Sequence, residues 1–97
     1  MYMKTKLVWD AAKRIANLDK HGLDFAEAGD VLDSTYRLDV PVVRKGESRT
    51  QLFSYVMGCL RVLTVVHVDH NGAARVISYR RASTKEREHY YGWINGE

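Results

Sequence analysis

The chain has one cysteine and one proline in 97 residues, and each shortage closes off a class of protein. Cys59 alone cannot form an internal disulfide, so a bridge-stapled secreted scaffold is excluded. A lone small apolar thiol suits a reducing cytoplasm, which is the expected location. With Pro41 the only proline, no stiff proline-rich linker exists. No apolar run approaches the ~18 residues of a membrane span, and the first ten residues turn acidic before a signal-like stretch forms. The glycine-rich phosphate loops of nucleotide enzymes are missing, as is a βαβ pattern. His21, His67, His70 and His89 lack the short spacings of metal sites, and no nucleophile elbow surrounds a serine. Neither a metal nor any other cofactor is expected.

The apolar fraction of 45% suits one hydrophobic core, so residues 1–97 are expected to form a single domain. The net charge of +3 is small but uneven. Acidic residues slightly outnumber basic ones before residue 34. Residues 75–91 carry Arg75, Arg80, Arg81, Lys85 and Arg87 against Glu86 and Glu88. Such a local positive field can attract a polyanion, and it can equally be a solvated basic face.

Periodicity divides the chain without linkers or repeats. Asp10 is placed to cap a helix over residues 11–20, with Ala11, Ile15 and Leu18 as its apolar stripe and Gly22 just past its end. Asp24 and Glu27 then resemble a capping box for a short second helix that buries Phe25, Ala28 and Leu32. From Tyr36 the period falls to two. Strands are expected over residues 36–42, 49–57, 61–68 and 73–80, with Pro41 restricting the first to an edge or bulge. Their turns fall at 44–47, at Gly58 and Cys59, and at Asn71 and Gly72, a pair suited to a type I′ turn. Ser83 and Glu86 open a last helix with Tyr90 and Ile94 as its buried positions. With a short first strand at residues 7–9, the expected class is α+β. It has a four-stranded antiparallel sheet plus that strand, in the order β-α-α-β-β-β-β-α.

Two-residue turns at both later hairpins would align Arg49, Val68 and Arg75 across three strands, on one face with Phe53, Tyr55, Val66, Ile77 and Tyr79. His67 and Arg80 would then share the other face with Leu63, Val65 and Val76. A single bulge would shift these rows.

The chemistry that best fits these residues is attack on an RNA phosphodiester by the substrate's own 2′-hydroxyl, which needs no metal. A protein must align that hydroxyl, move protons and stabilise charge at phosphorus. Arginine suits the last task through its planar donor fork. Arg49, Arg75, Arg80 and Arg81 supply guanidinium groups, and Glu47, His21, Lys20 and His67 supply acid or base groups. Each also has an ordinary explanation: Glu47 and Arg49 flank a turn, His21 suits a helix end, and His67 sits among valines. Direct DNA binding is disfavoured because no helix-turn-helix is evident.

The segment VWDAAKRIANLDKHGLDFAEA, residues 8–28, resembles the opening signature of the BrnT family of toxins. Trp9, Asp10, Lys13, Asn17, Lys20, His21, Gly22 and Phe25 carry the likeness. It resumes at GESR, residues 46–49, and at RVISYRRASTKEREHY, residues 75–90. Val8 stands where a larger residue is usual, and Tyr79 where a small one is. The resemblance implies a RelE-like fold and a ribonuclease that arrests translation, with no cofactor. It also implies a BrnA-like ribbon-helix-helix antitoxin in a two-plus-two complex, with operator DNA reached only through that partner. The functional residues it implies are Lys20, His21, Glu47, Arg49, His67, Arg75, Arg80 and Arg81. A chain that keeps this fold only as a partner-binding subunit or co-repressor is the alternative.

Overall fold

The computed structural model describes residues 5–96. The elements run β1 (Leu7–Val8), α1 (Ala11–His21), a 3-10 turn (Phe25–Glu27), α2 (Gly29–Leu32), β2 (Leu38–Arg44), β3 (Glu47–Val56), β4 (Arg61–His70), β5 (Ala73–Arg81) and α3 (Thr84–Ile94). The expected α+β class and element order are both found. The second helix is shorter than its pattern suggested: Asp24 caps the 3-10 turn by accepting from the Ala26 N–H, and α2 follows as a single turn.

All five strands join one mixed sheet in the order β1-β5-β4-β3-β2. β1 lies parallel to β5, with Leu7 opposite Ala74, while the other pairings are antiparallel. Lys45 and Gly46 both have positive φ and make a tight β2–β3 turn, as Asn71 and Gly72 do between β4 and β5. The β3–β4 connection corrects the expected two-residue turn. Val56 pairs with Arg61, so four residues, 57–60, form the loop. The register nevertheless equals the one a tight turn would give, because the loop gains one residue on each side.

Leu52, Leu63, Val65, Val76 and Tyr79 form one face of the sheet and are sealed beneath Phe25, Ala28, Val31 and Leu32. On the other face, Phe53 and Val62 pack with Ala82 and Tyr90. Tyr90 is the anchor of α3: its hydroxyl donates to the Tyr36 carbonyl and accepts from the Tyr55 N–H. Ile94, expected to be buried beside it, is 40% exposed. α3 thus covers only the end of this face where Phe53 and Val62 lie, and the remainder is open.

Helix α1 also departs from its sequence pattern. Ile15 is 68% exposed and Leu18 44%, whereas Asn17 is buried. β1 ends after Val8 and leaves backbone groups of β5 unpaired beyond it. The Asn17 amide satisfies them, donating to the Tyr79 carbonyl at 2.8 Å and accepting from the Tyr79 N–H at 3.2 Å. The side chain thereby replaces a neighbouring strand. The helix is held to the sheet edge by this pairing and to the 3-10 turn by Arg14, bonded through two nitrogens to Asp24. Its apolar stripe therefore points outward.

Candidate functional site

The pairing of Val68 with Arg75, and of Thr50 with His67 one step from Arg49, places Arg49, Val68 and Arg75 in adjacent register on the open face. Arg80 lies on that face as well, which corrects the expected placement. A bulge causes the difference. Val66 pairs with Ser78 but His67 pairs with Val76, so Ile77 is an extra residue in β5. Beyond it the alternation is reversed: Tyr79 turns into the helix-covered core and Arg80 turns outward. One residue thereby adds a third arginine to the same side.

Glu47 and Glu86 organise these cations. Arg49 donates through Nε to Oε1 of Glu47 at 2.9 Å, and Arg75 through Nη2 to Oε2 at 3.3 Å. Glu47, the first residue of β3, is thus a bridge between two strands. Arg80 is bound end-on by Glu86, with Nη1 to Oε1 at 2.7 Å and Nη2 to Oε2 at 2.9 Å. Glu86 in turn accepts from the Gln51 amide at 3.0 Å and from the Ser83 N–H at 2.8 Å. The Arg80 guanidinium and these further donors hold the Glu86 carboxyl down to about 2. It is a fixed anion and holds no proton near neutral pH.

The donor inventory of Arg80 shows what this grip leaves open. Its second Nη1 hydrogen goes to the Arg81 carbonyl at 3.1 Å. Among the described residues nothing takes Nε–H or the remaining Nη2–H, the side-on fork that matches two oxygens of a phosphoryl group. Arg80, Glu86, Arg49, Gln51, Val66, Ile77 and Ser78 line one cleft of about 560 Å³. Ile77 and Ser78 also form a wall of a second hollow of about 310 Å³, lined by Lys13, Lys20 and His21 at the end of α1. The bulge is therefore the ridge between the arginines and the helix-borne base candidates. The pKa of His21 is lowered by partial burial and by the positive charges of Lys20 and Arg80, which favours the neutral ring.

Two sequence candidates stand apart. His67 is on the helix-covered face, only 7% exposed, in a separate hollow with Thr5, Arg37, Asp39, Thr50 and Asp69. Burial lowers its pKa, its Nδ1 has no hydrogen-bond partner among the described residues, and Asp69 stays 3.5 Å away. Arg81 alternates away from Arg80 and lines another groove with Arg61 and Arg87. Of the other candidates, Arg49 and Arg80 line the cleft on one side of the bulge, Lys20 and His21 line the hollow on the other, and Glu47 and Arg75 join them through Arg49. Glu86 and Gln51 were missed as site residues. Glu86 reads as a helix-capping residue, and it is one, with both halves of its capping box formed. Only the bulge, which brings Arg80 to it, shows its second role.

A rigid array of guanidinium groups, beside a histidine kept neutral, can hold a phosphodiester and move a proton at its edge. Among the described residues no group of three or more metal-ligating side chains converges. Residues 9–86 match the family described as ribonuclease toxin, BrnT, of type II toxin-antitoxin system. No curated protein matches the chain.

Proposed function

The chain belongs to the BrnT family of ribonuclease toxins of type II toxin-antitoxin systems, and from that premise we propose that it cuts RNA at the ridge formed by Ile77, without a metal ion. The observation that carries this reading is the Arg80 guanidinium, clamped end-on by Glu86 with its side-on fork open at the cleft. That fork takes two non-bridging oxygens of the scissile phosphate, and Arg49 and Arg75 meet the growing negative charge. Glu47 already bonds both of those arginines, so it serves as their tether. His21, neutral by its lowered pKa, accepts the 2′-hydroxyl proton as the oxygen attacks phosphorus. The bond from phosphorus to the 5′ oxygen breaks. Water supplies that oxygen's proton while Lys20 stabilises its charge. The products are a 2′,3′-cyclic phosphate and a 5′-hydroxyl.

The family membership gives the toxin a cognate antitoxin. We assign that partner to the BrnA-like ribbon-helix-helix type, in a two-plus-two complex that meets operator DNA through the antitoxin. The exposed Ile15 and Leu18 lie on the same helix as Lys20 and His21, so a protein that covers them also hinders the cleft. A cytoplasmic location follows from the need to reach messenger RNA. No helix among the described residues is long and apolar enough to cross a membrane.

The test is cleavage of RNA by the folded, antitoxin-free protein in excess EDTA, with end-group analysis of the fragments. Cyclic phosphate termini in EDTA are expected. Intact RNA, or cleavage that stops when divalent ions are removed, would overturn the reading.

A further inference from the structure

Most arginines around the cleft attract RNA weakly, because carboxylates already neutralise much of their charge; Arg44, on its β2 rim, is the exception, with no ion-pair partner among the described residues. Arg49 and Arg75 share Glu47, and Arg80 is matched by Glu86. Away from the cleft, three further arginines lack such partners among the described residues. Arg61 at the start of β4, Arg81 at the end of β5 and Arg87 in α3 line a groove of about 260 Å³ with no carboxylate among the described residues. Among the described residues neither the Arg61 nor the Arg81 side chain has an ion-pair partner. Among the described residues Arg87 donates only to neutral groups, the Ala82 carbonyl at 3.1 Å and the Thr84 hydroxyl at 3.2 Å. Those two bonds fix its side chain but leave its charge unbalanced.

The same groove is lined by two partly exposed non-charged side chains suited to a base. Tyr91 is 42% exposed and lies beside the arginines. Leu60 is 70% exposed and has a φ of +54°, a left-handed conformation that glycine adopts far more readily. A large apolar side chain is thus held in solvent at a backbone position unfavourable to it, on the lip of a basic groove.

We propose that this groove is a second RNA-binding site, which takes a single-stranded stretch of the substrate away from the cut. Arg61, Arg81 and Arg87 contact its phosphates, and a base stacks on Tyr91 against Leu60. Unpaired cations supply counterion release, and an aromatic face supplies sequence-tolerant stacking. The cleft then provides geometry, and the groove provides attraction. This inference rests on RNA being the substrate and not on which cleft residues carry out the cut.

The test uses the antitoxin-free toxin and a 2′-O-methyl oligoribonucleotide, which cannot be cut by internal attack, with binding read by fluorescence anisotropy across a salt series. Arg61→Ala with Arg81→Ala should weaken binding at least tenfold and lower the salt slope by about 1.4, the value for two lost single-strand phosphate contacts. Tyr91→Ala should weaken it about tenfold with the slope unchanged. The ratio of kcat/KM for a long RNA over a dinucleoside monophosphate should fall at least tenfold in the arginine double variant. Unchanged affinity and slope would overturn the proposal. So would equal losses on both substrates, or a loss confined to antitoxin affinity, which would make the groove a protein-docking surface. Binding to the uncuttable RNA is read independently of cleavage, so failure of the proposed chemistry would leave this test intact.

Discussion

On one face of the sheet, Leu52, Leu63, Val65, Val76 and Tyr79 are closed over by Phe25, Ala28, Val31 and Leu32. On the other, α3 covers Phe53 and Val62 through Tyr90 and leaves Arg49, Gln51 and Arg80 lining an open cleft, with Arg75 joined to Arg49 through Glu47. Titratable residues occur on both faces. Burial drives His67 toward its neutral form on the closed face, with Nδ1 lacking a hydrogen bond among the described residues. The open face instead keeps its ions half in water and uses carboxylates to fix their direction. The closed side suppresses charge, whereas the open side aligns it. Only an aligned charge is available to a phosphate.

The largest effect that would break this comparison comes from removing the charges themselves. Arg80→Ala should reduce kcat/KM for RNA cleavage about 10²–10³-fold, the scale for loss of one preorganised stabilising group. Arg49→Ala should approach that loss. Because the cleft is partly exposed, the thermal midpoint should move little in either variant. Steady-state cleavage and a melting curve read the two effects separately. An Arg80→Ala enzyme with nearly full activity would place the chemistry elsewhere.

Much of this arrangement is legible in the chain, and the exceptions have physical causes. Asn71 and Gly72 state their turn, Asp10 and Ser83 state their caps, and alternation places Arg49 with Arg75. The bulge is not legible. Nothing in ARVISYRR marks Ile77 as the extra residue, because an apolar residue suits either side of a sheet with apolar groups on both. The spacing from Arg75 to Arg80 is odd, so regular alternation separates two side chains that the fold unites. Helix α1 misleads for a different reason. Its apolar stripe predicts burial, but the unpaired backbone of β5 is satisfied by Asn17 and decides which side turns inward. A free backbone pair outweighs Ile15 and Leu18, which remain exposed.

Glu86 gives a sharper and smaller test of alignment. Glu86→Gln keeps size and one acceptor oxygen but loses the anionic two-point grip on Arg80. Cleavage should fall about 10–100-fold, chiefly in kcat, since the guanidinium remains but is no longer fixed. Glu86→Asp should not restore it, because the shorter chain cannot span the same partners. The ion pair also has a defined acid limit. With the folded carboxyl held near 2 against an unfolded value near 4.5, its stabilisation is complete above about pH 4.5 and is lost as pH falls toward 2. Urea midpoints of wild type and Glu86→Gln should therefore differ at pH 6 and converge as pH falls toward 2.

His21 connects alignment to proton transfer. Burial and the charges of Lys20 and Arg80 lower its pKa, so the acid limb of the cleavage profile should lie below the ordinary histidine value of about 6.5. Lys20→Ala removes one of those cations and should move the limb to higher pH. His21→Gln should remove the limb. An acid limb that persists unchanged in His21→Gln would transfer the proton to another group.

The smallest effect should come from the closed face. His67→Gln should leave kcat/KM within about twofold, because that ring lies across the sheet from the arginines. Its consequence belongs to stability. A histidine whose folded pKa is lowered contributes fully above its unfolded value of about 6.5, and that contribution declines as pH falls through the folded pKa. The wild type should therefore lose stability as pH falls below neutral, and His67→Gln should flatten that decline. Denaturant midpoints at several pH values read this directly. If His67→Gln abolished cleavage and left the pH dependence of stability intact, the two faces would not be functionally separate, and the arginine cleft would be incomplete without the ring behind it.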